Sequence, residues 1–187
     1  MLSCEYPKIE TLFDRDPQTH KVIEGAWRLP EFEYLANNKW LFTEKVDGTN
    51  IRVSVENGQL VFRGRTDNAS IPPFLLAKLQ ELFSLDKLKE VFPDGDLCLY
   101  GEGYGSRIQR GGGNYQANGV SFALFDILVG RWWLKHDDIR GIAKTLNIET
   151  VPVIGDGTLQ DAVSLVKTGI VSSWGPFAAE GLVLRPK

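Results

Sequence analysis

Between Thr43 and Val53 the chain reads TEKVDGTNIRV, and its charges are out of place for the strand they introduce. Ile51, Val53 and Val55 alternate with Arg52 and Ser54, the period-two pattern of a half-buried strand. Lys45, Asp47 and Gly48 crowd the start of that run. Further acids stand in apolar or small-residue surroundings: Glu102 in LYGEGYG, Asp126 in ALFDILV and Glu180 in AAEGLVL. Charged groups enter such runs when they are paired or functional, because an uncompensated buried charge is costly. A lysine amine attacks phosphorus only when unprotonated, so its pKa must fall from about 10.4. Carboxylates alone would raise it, whereas a divalent cation held by those carboxylates reverses the local sign. Lysine, acids, metal and phosphate therefore make chemical sense together, with Mg²⁺ or Mn²⁺ as the ion. An isolated Lys-x-Asp-Gly also suits a solvated strand start, so the rest of the chain has to decide.

The elements that must position these residues can be read from pattern. WLFTEKVD reads as a strand, and NIRVSVENGQLVFRGR as a hairpin turning at Asn57-Gly58. PPFLLAKLQELFSLDKLKEVF opens with prolines, carries apolar residues at helical spacing and stops before Pro93. DLCLYGEG is a strand running into the glycine-rich GEGYGSRIQRGGGNYQANG, where Arg107 and Arg110 suggest a mobile loop for phosphates. VSFALFDILVGRWWL reads as two strands around Gly130, with Trp132 and Trp133 on opposite faces, one in the core and one exposed. EFEYLANNKW, KHDDIRGIAKTLNI and LQDAVSLVKTG read as helices and EGLVLRP as a last strand. His20 and His136 show no metal spacing and read as ordinary surface or cap-adjacent residues. The expected class is α+β, mostly antiparallel sheets flanked by helices.

Bulk composition narrows the partners. The 187 residues suit one domain with a substantial core, and 43% hydrophobic against 24% charged residues is a globular balance. A net charge of -3 gives no global basic field, so any nucleic-acid site must be local. Cys4 and Cys98 make neither a disulfide framework nor a metal cluster, and Cys98 sits in an apolar run. No stretch is long enough to span a bilayer, and the first residues lack a signal-peptide core. A cytoplasmic monomer without membrane contact is expected.

Lys45-Val46-Asp47-Gly48 resembles the nucleotidyl-acceptor motif of covalent nucleotidyltransferases, the polynucleotide ligases and mRNA capping enzymes. YGEGYG resembles their third motif, FALFDIL the strand motif after it, and EGLVLRPK the fourth, in the right order from about Thr43 to Lys187. Thr49-Asn50 is similar to ATP-dependent RNA ligases of the type-2 group, where DNA ligases more often place an arginine at the position of Asn50. The resemblance implies a nucleotidyltransferase (ATP-grasp-like) fold, ATP as substrate and an RNA carrying 5′-phosphate and 3′-hydroxyl ends as partner. It implies Lys45 as the residue that becomes lysyl-AMP, with Glu44 helping to read adenine and Arg65 and Asn50 contacting the nucleotide. Glu102 would contact the ribose or hydrated metal, and Phe125, rather than Phe122, would stack on the base. Asp47 and Glu180 would orient the metal or the lysine, and Arg185 would lie near the phosphates.

The pattern also departs from the family. Its fifth motif, a strand with paired lysines for the α-phosphate, lies beyond the fourth, and these residues end at Lys187. No OB-fold segment is expected within these residues either. The expectation is therefore a single nucleotidyltransferase domain over residues 1–187 that binds ATP but adenylylates itself slowly. A DNA ligase or capping-type nucleotidyltransferase and a catalytically impaired nucleotide- or RNA-binding module are the alternatives.

Overall fold

The computed structural model describes residues 5–93 and 96–187; Cys4 lies outside the described residues. An opening hairpin, β1 (Phe13–Arg15) and β2 (Val22–Trp27), is followed by a short helix, α1 (Pro30–Tyr34). β3 (Trp40–Glu44) leads into the Lys45 loop, and β4 (Thr49–Glu56) and β5 (Gln59–Arg63) form the expected hairpin. Asn57 and Gly58 at its turn hold φ of 50° and 73°, the left-handed pair a two-residue hairpin requires. Next come α2 (Pro73–Leu82), α3 (Leu85–Val91), β6 (Leu97–Gly105), α4 (Gly112–Tyr115), β7 (Val120–Val129) and β8 (Trp132–Trp133). α5 (His136–Leu146), β9 (Glu149–Thr150), β10 (Val153–Gly157), α6 (Leu159–Thr168) and β11 (Leu182–Pro186) complete the chain.

Two larger sheets result. One runs β5-β4-β6-β7-β8, antiparallel throughout, with β9 joining β7 in parallel; the other is β10-β3-β11, also antiparallel. The main core lies on one face of the first sheet: Ile51, Val53, Leu99, Phe122 and Leu124 pack against Leu75 and Leu79 of α2 and Ile139 of α5. A second core places Trp40 and Phe42 of β3 and Leu182 and Leu184 of β11 against Leu159 and Ala162 of α6. Alternation then turns Thr43, Val183 and Arg185 to the opposite side, into the cleft shared with the first sheet.

The regular alternation of β7 breaks once. Tyr100 pairs with Asp126 but the next residue, Gly101, pairs with Leu124, so Phe125 is an extra residue on its strand. This bulge lets Phe125 and Asp126, neighbours in sequence, both stay off the face that buries Leu124 and Ile127.

Some expectations need correction. The long apolar segment 72–92 is two helices, because Phe83 is extended and the Ser84 hydroxyl accepts from the Lys87 amide to cap α3. Trp132 and Trp133 are both exposed, at 79% and 46%, on β8, a two-residue strand at the edge of its sheet. Trp133 nonetheless rests on Tyr6 and Tyr100. The glycine-rich segment is folded rather than loose: a Cβ on Gly112 would lie 1.9 Å from the Gly105 carbonyl, and Arg107 stands 4.6 Å over the Phe74 ring. Cys98 is buried as expected.

Candidate active site

Lys45 sits at the seam of the two sheets. Its amide donates to the Gly181 carbonyl at 2.9 Å, which ties the residue after β3 to the residue before β11. Its ammonium pairs with the Glu180 carboxylate. The side chain is half exposed, so this pair is accessible to a ligand and contributes little to stability. Gly48 explains the spacing of the motif. A Cβ there would lie 2.4 Å from the Gly103 carbonyl and 2.8 Å from Glu102 Cγ, so only glycine lets the Lys45 loop lie this close to β6.

That close approach brings Lys45 beside Glu102, and both line a cleft of about 260 Å³. Asn50, Phe125 and Arg65 line the same cleft, as do Glu44 and Arg185. Burial raises the Glu102 pKa from 4.5 to about 8; the Lys45 charge opposes the rise, while Glu180 and Asp47 add to it. The Glu102 carboxyl is thus far less acidic than a solvated one. Asn50, which lines the cleft, keeps its Oδ1 buried without a hydrogen-bond partner.

Several side chains stand differently from expectation. Glu44 is 1% exposed, and its two carboxylate oxygens accept from the Ser172 hydroxyl at 2.5 Å and the Ser173 amide at 2.8 Å. Its first role is thus to hold the loop before β11, and any contact with a base comes in addition. Arg185 does line the cleft, but its guanidinium is clamped by the buried Asp126 and donates to the Tyr6 hydroxyl at 3.1 Å. Asp126 therefore belongs to this pair, not to a carboxylate cluster around the lysine. Among the described residues no group of three or more acids, histidines or cysteines could hold a metal ion, so Asp47, Glu102 and Glu180 do not form a cage by themselves. Asp47 does not line the cleft. Its amide donates to the Tyr115 hydroxyl at 3.1 Å, and its carboxylate faces Gly111. Phe122 is core: it is 1% exposed, and its ring occupies the space a Cβ on Gly101 would take.

Arg65 owes its place to a buried arginine. Arg52 is 2% exposed; its Nε donates to the Gly64 carbonyl and Nη2 to Asp67, both at 2.8 Å. These bonds flank Arg65 on either side and fix the loop that carries it. Sequence reasoning missed more of the wall. Tyr6, Lys8 and His136 line the cleft. His136 had a signal, an aromatic base opening a helix beside Asp137 and Asp138, but Tyr6 had none in local sequence. Burial and the cations Arg185 and Arg140 hold the His136 pKa below its ordinary value.

Solved structures share this fold. A Naegleria gruberi RNA ligase variant with ATP and Mn superposes with a TM-score of 0.69 at 24% identity over 84% of this chain. The same ligase in an apo variant gives 0.70 at 21% over 95%, and with pyrophosphate 0.68 at 20% over 97%. The chain spans about half the length of these ligases, 48%, 53% and 58% respectively. No curated protein sequence is a significant match. A family model described as RNA ligase matches residues 38–187, a span that takes in Lys45, the whole cleft sheet and β11. With most of its length inside that match, this chain belongs to the RNA ligase family.

Proposed function

We propose that this chain is the nucleotidyl-transfer part of an ATP-dependent RNA ligase. Lys45 Nζ attacks the α-phosphorus of ATP, the bond from that phosphorus to the bridging oxygen breaks, and pyrophosphate leaves. AMP then passes from Lys45 to an RNA 5′-phosphate, and a 3′-hydroxyl displaces it to seal the strand. One observation carries the reading: Lys45, Glu102, Asn50, Arg65 and Phe125 converge on a single cleft from three strands and two loops. Glu180, in contact with Nζ, is the base placed to take the proton the amine must lose. The fold neighbours with ATP and Mn support the choice of nucleotide and metal.

The donors suit a hard divalent cation, since Glu102 in the cleft and Glu180 against Lys45 offer carboxyl oxygens, whereas Asp47 turns toward Gly111. With no complete cage among the described residues, Mg²⁺ or Mn²⁺ would be shared between these carboxylates and the phosphates of ATP. When bound, such an ion supplies neutralisation of the phosphate charge that opposes attack. What the chain itself supplies is position: Phe125 for the base, Asn50 and Arg65 for polar groups, and the seam geometry for Lys45.

Incubation with ATP labelled in the α-phosphate, then denaturing electrophoresis, tests the first step. Label is expected on the parent chain and absent from Lys45→Ala, with thermal melting unchanged because the pair with Glu180 is solvent-exposed. Transfer to 5′-phosphorylated RNA in preference to DNA tests the substrate. AMP mapped to another lysine, such as Lys39, would sink the assignment.

A further inference from the structure

The cleft has a wall that comes from far away in sequence. Tyr6, Pro7, Lys8 and Ile9 line it beside Phe125 and Arg185. In this segment Glu5, Pro7, Lys8 and Ile9 are exposed, whereas the Tyr6 side chain is driven inward. Its hydroxyl donates to Asp126 at 2.5 Å and accepts from Arg185. Its ring meets Phe125 with centroids 5.1 Å apart at 72°, and Tyr100 also at 5.1 Å. A plain hydrophobic anchor would account for the buried ring. It would not account for the choice of neighbours, which include two cleft-lining side chains that come from different sheets.

We infer that Tyr6 is a positioning residue of the nucleotide pocket: its segment closes the end of the cleft beside Phe125, and its ring and hydroxyl hold Phe125 and Arg185 in register. The ligand is an adenine nucleotide, so the inference rests on the ligase reading. The mechanism is mechanical. Phe125 sits on a bulge, where the ladder restrains it less than a regular strand residue, and the Tyr6 ring supplies the missing restraint. The hydroxyl meanwhile bridges the Asp126–Arg185 pair, which joins the first sheet to β11. Ligand binding should therefore tighten the segment, and loss of the ring should loosen the pocket.

Hydrogen exchange of the unmodified chain, with and without ATP and Mg²⁺, reads the first consequence. Slowed exchange is expected both in the peptide over residues 5–10 and around Lys45 and Glu102. Slowing around Lys45 alone would overturn the role of Tyr6 and leave the nucleotide site standing. Slowing nowhere would remove the nucleotide reading, and this inference with it. Calorimetric titration of ATP into Tyr6→Leu and Tyr6→Phe, each checked by thermal melting, reads the second. Tyr6→Leu is expected to weaken ATP about tenfold, and Tyr6→Phe, which keeps the ring contacts, to recover part of that loss. A folded Tyr6→Leu that binds ATP within about twofold of the parent would overturn the inference. Should Tyr6→Leu fail to fold, the exchange result on the parent decides.

Discussion

Gly48 and Glu102 share a contact that no larger residue at position 48 admits: a Cβ would lie 2.8 Å from Glu102 Cγ, with the Gly103 carbonyl closer still at 2.4 Å. The glycine of the motif is thus a spacing device between the Lys45 loop and the strand that carries Glu102. Because the nearer atom is backbone, the clash cannot be relieved by a rotamer change.

Gly48→Ala is therefore expected to push the Lys45 loop off β6. Overpacking of this kind costs about 1–3 kcal/mol of stability. The larger effect should fall on chemistry, since a misplacement of about 1 Å can lower a rate by roughly a hundredfold. Parallel thermal melts and single-turnover adenylylation check both. A normal rate in the variant would show that the contact does not set the geometry.

Glu102 gives the chain a stability that depends on pH. Its folded pKa of about 8 lies above the ordinary 4.5, so between those values the folded state holds a proton that the unfolded state has released. The stabilisation is fully present below the unfolded value and is lost as pH rises through the folded one, by at most about 1.4 kcal/mol per unit. Without metal, melting temperature should fall between about pH 5 and pH 8, and Glu102→Gln should flatten that slope. Denaturation series in chelator-treated buffer measure it. An identical slope in both proteins would assign the dependence elsewhere.

The two phenylalanines of β7 should separate cleanly. Phe125→Ala is expected to weaken ATP by about ten- to a hundredfold, the value of a lost stacking face, with little change in melting. Phe122→Ala removes a fully buried ring and should cost about 3–5 kcal/mol of stability. Titration and melting of both variants decide. The reverse pattern would make Phe122 the ligand contact.

Local pattern carried a good part of this molecule. The Asn57-Gly58 turn, the alternation in β4 and the Lys45 motif were legible because each depends on residues a few positions apart. The break between α2 and α3 also had its signal, Ser84 before Leu85 and Asp86, though it is masked by an apolar run that continues through it. Long-range pairings left no such trace. Tyr6 meets Asp126 across 120 positions, and Ser172 meets Glu44 across 128. The motif puts Arg185 near phosphates, and it does line the cleft, but nothing in local sequence shows that Asp126 holds its guanidinium. A sequence pattern announces which groups are unusual; which of them neutralise each other is decided only when the sheets meet.

The bulge at Phe125 also has a meaning in units of chain length. Leu124 and Ile127 face the helices, and the two residues between them fill a gap that a regular strand spans with one. Removing one of the two would leave the ladder continuous and every buried side chain of β7 on its present face. The sheet would survive such a deletion, while the cleft would have to choose between an aromatic face and the anion that anchors Arg185. The extra residue keeps an aromatic face and the anchor of Arg185 side by side on one strand.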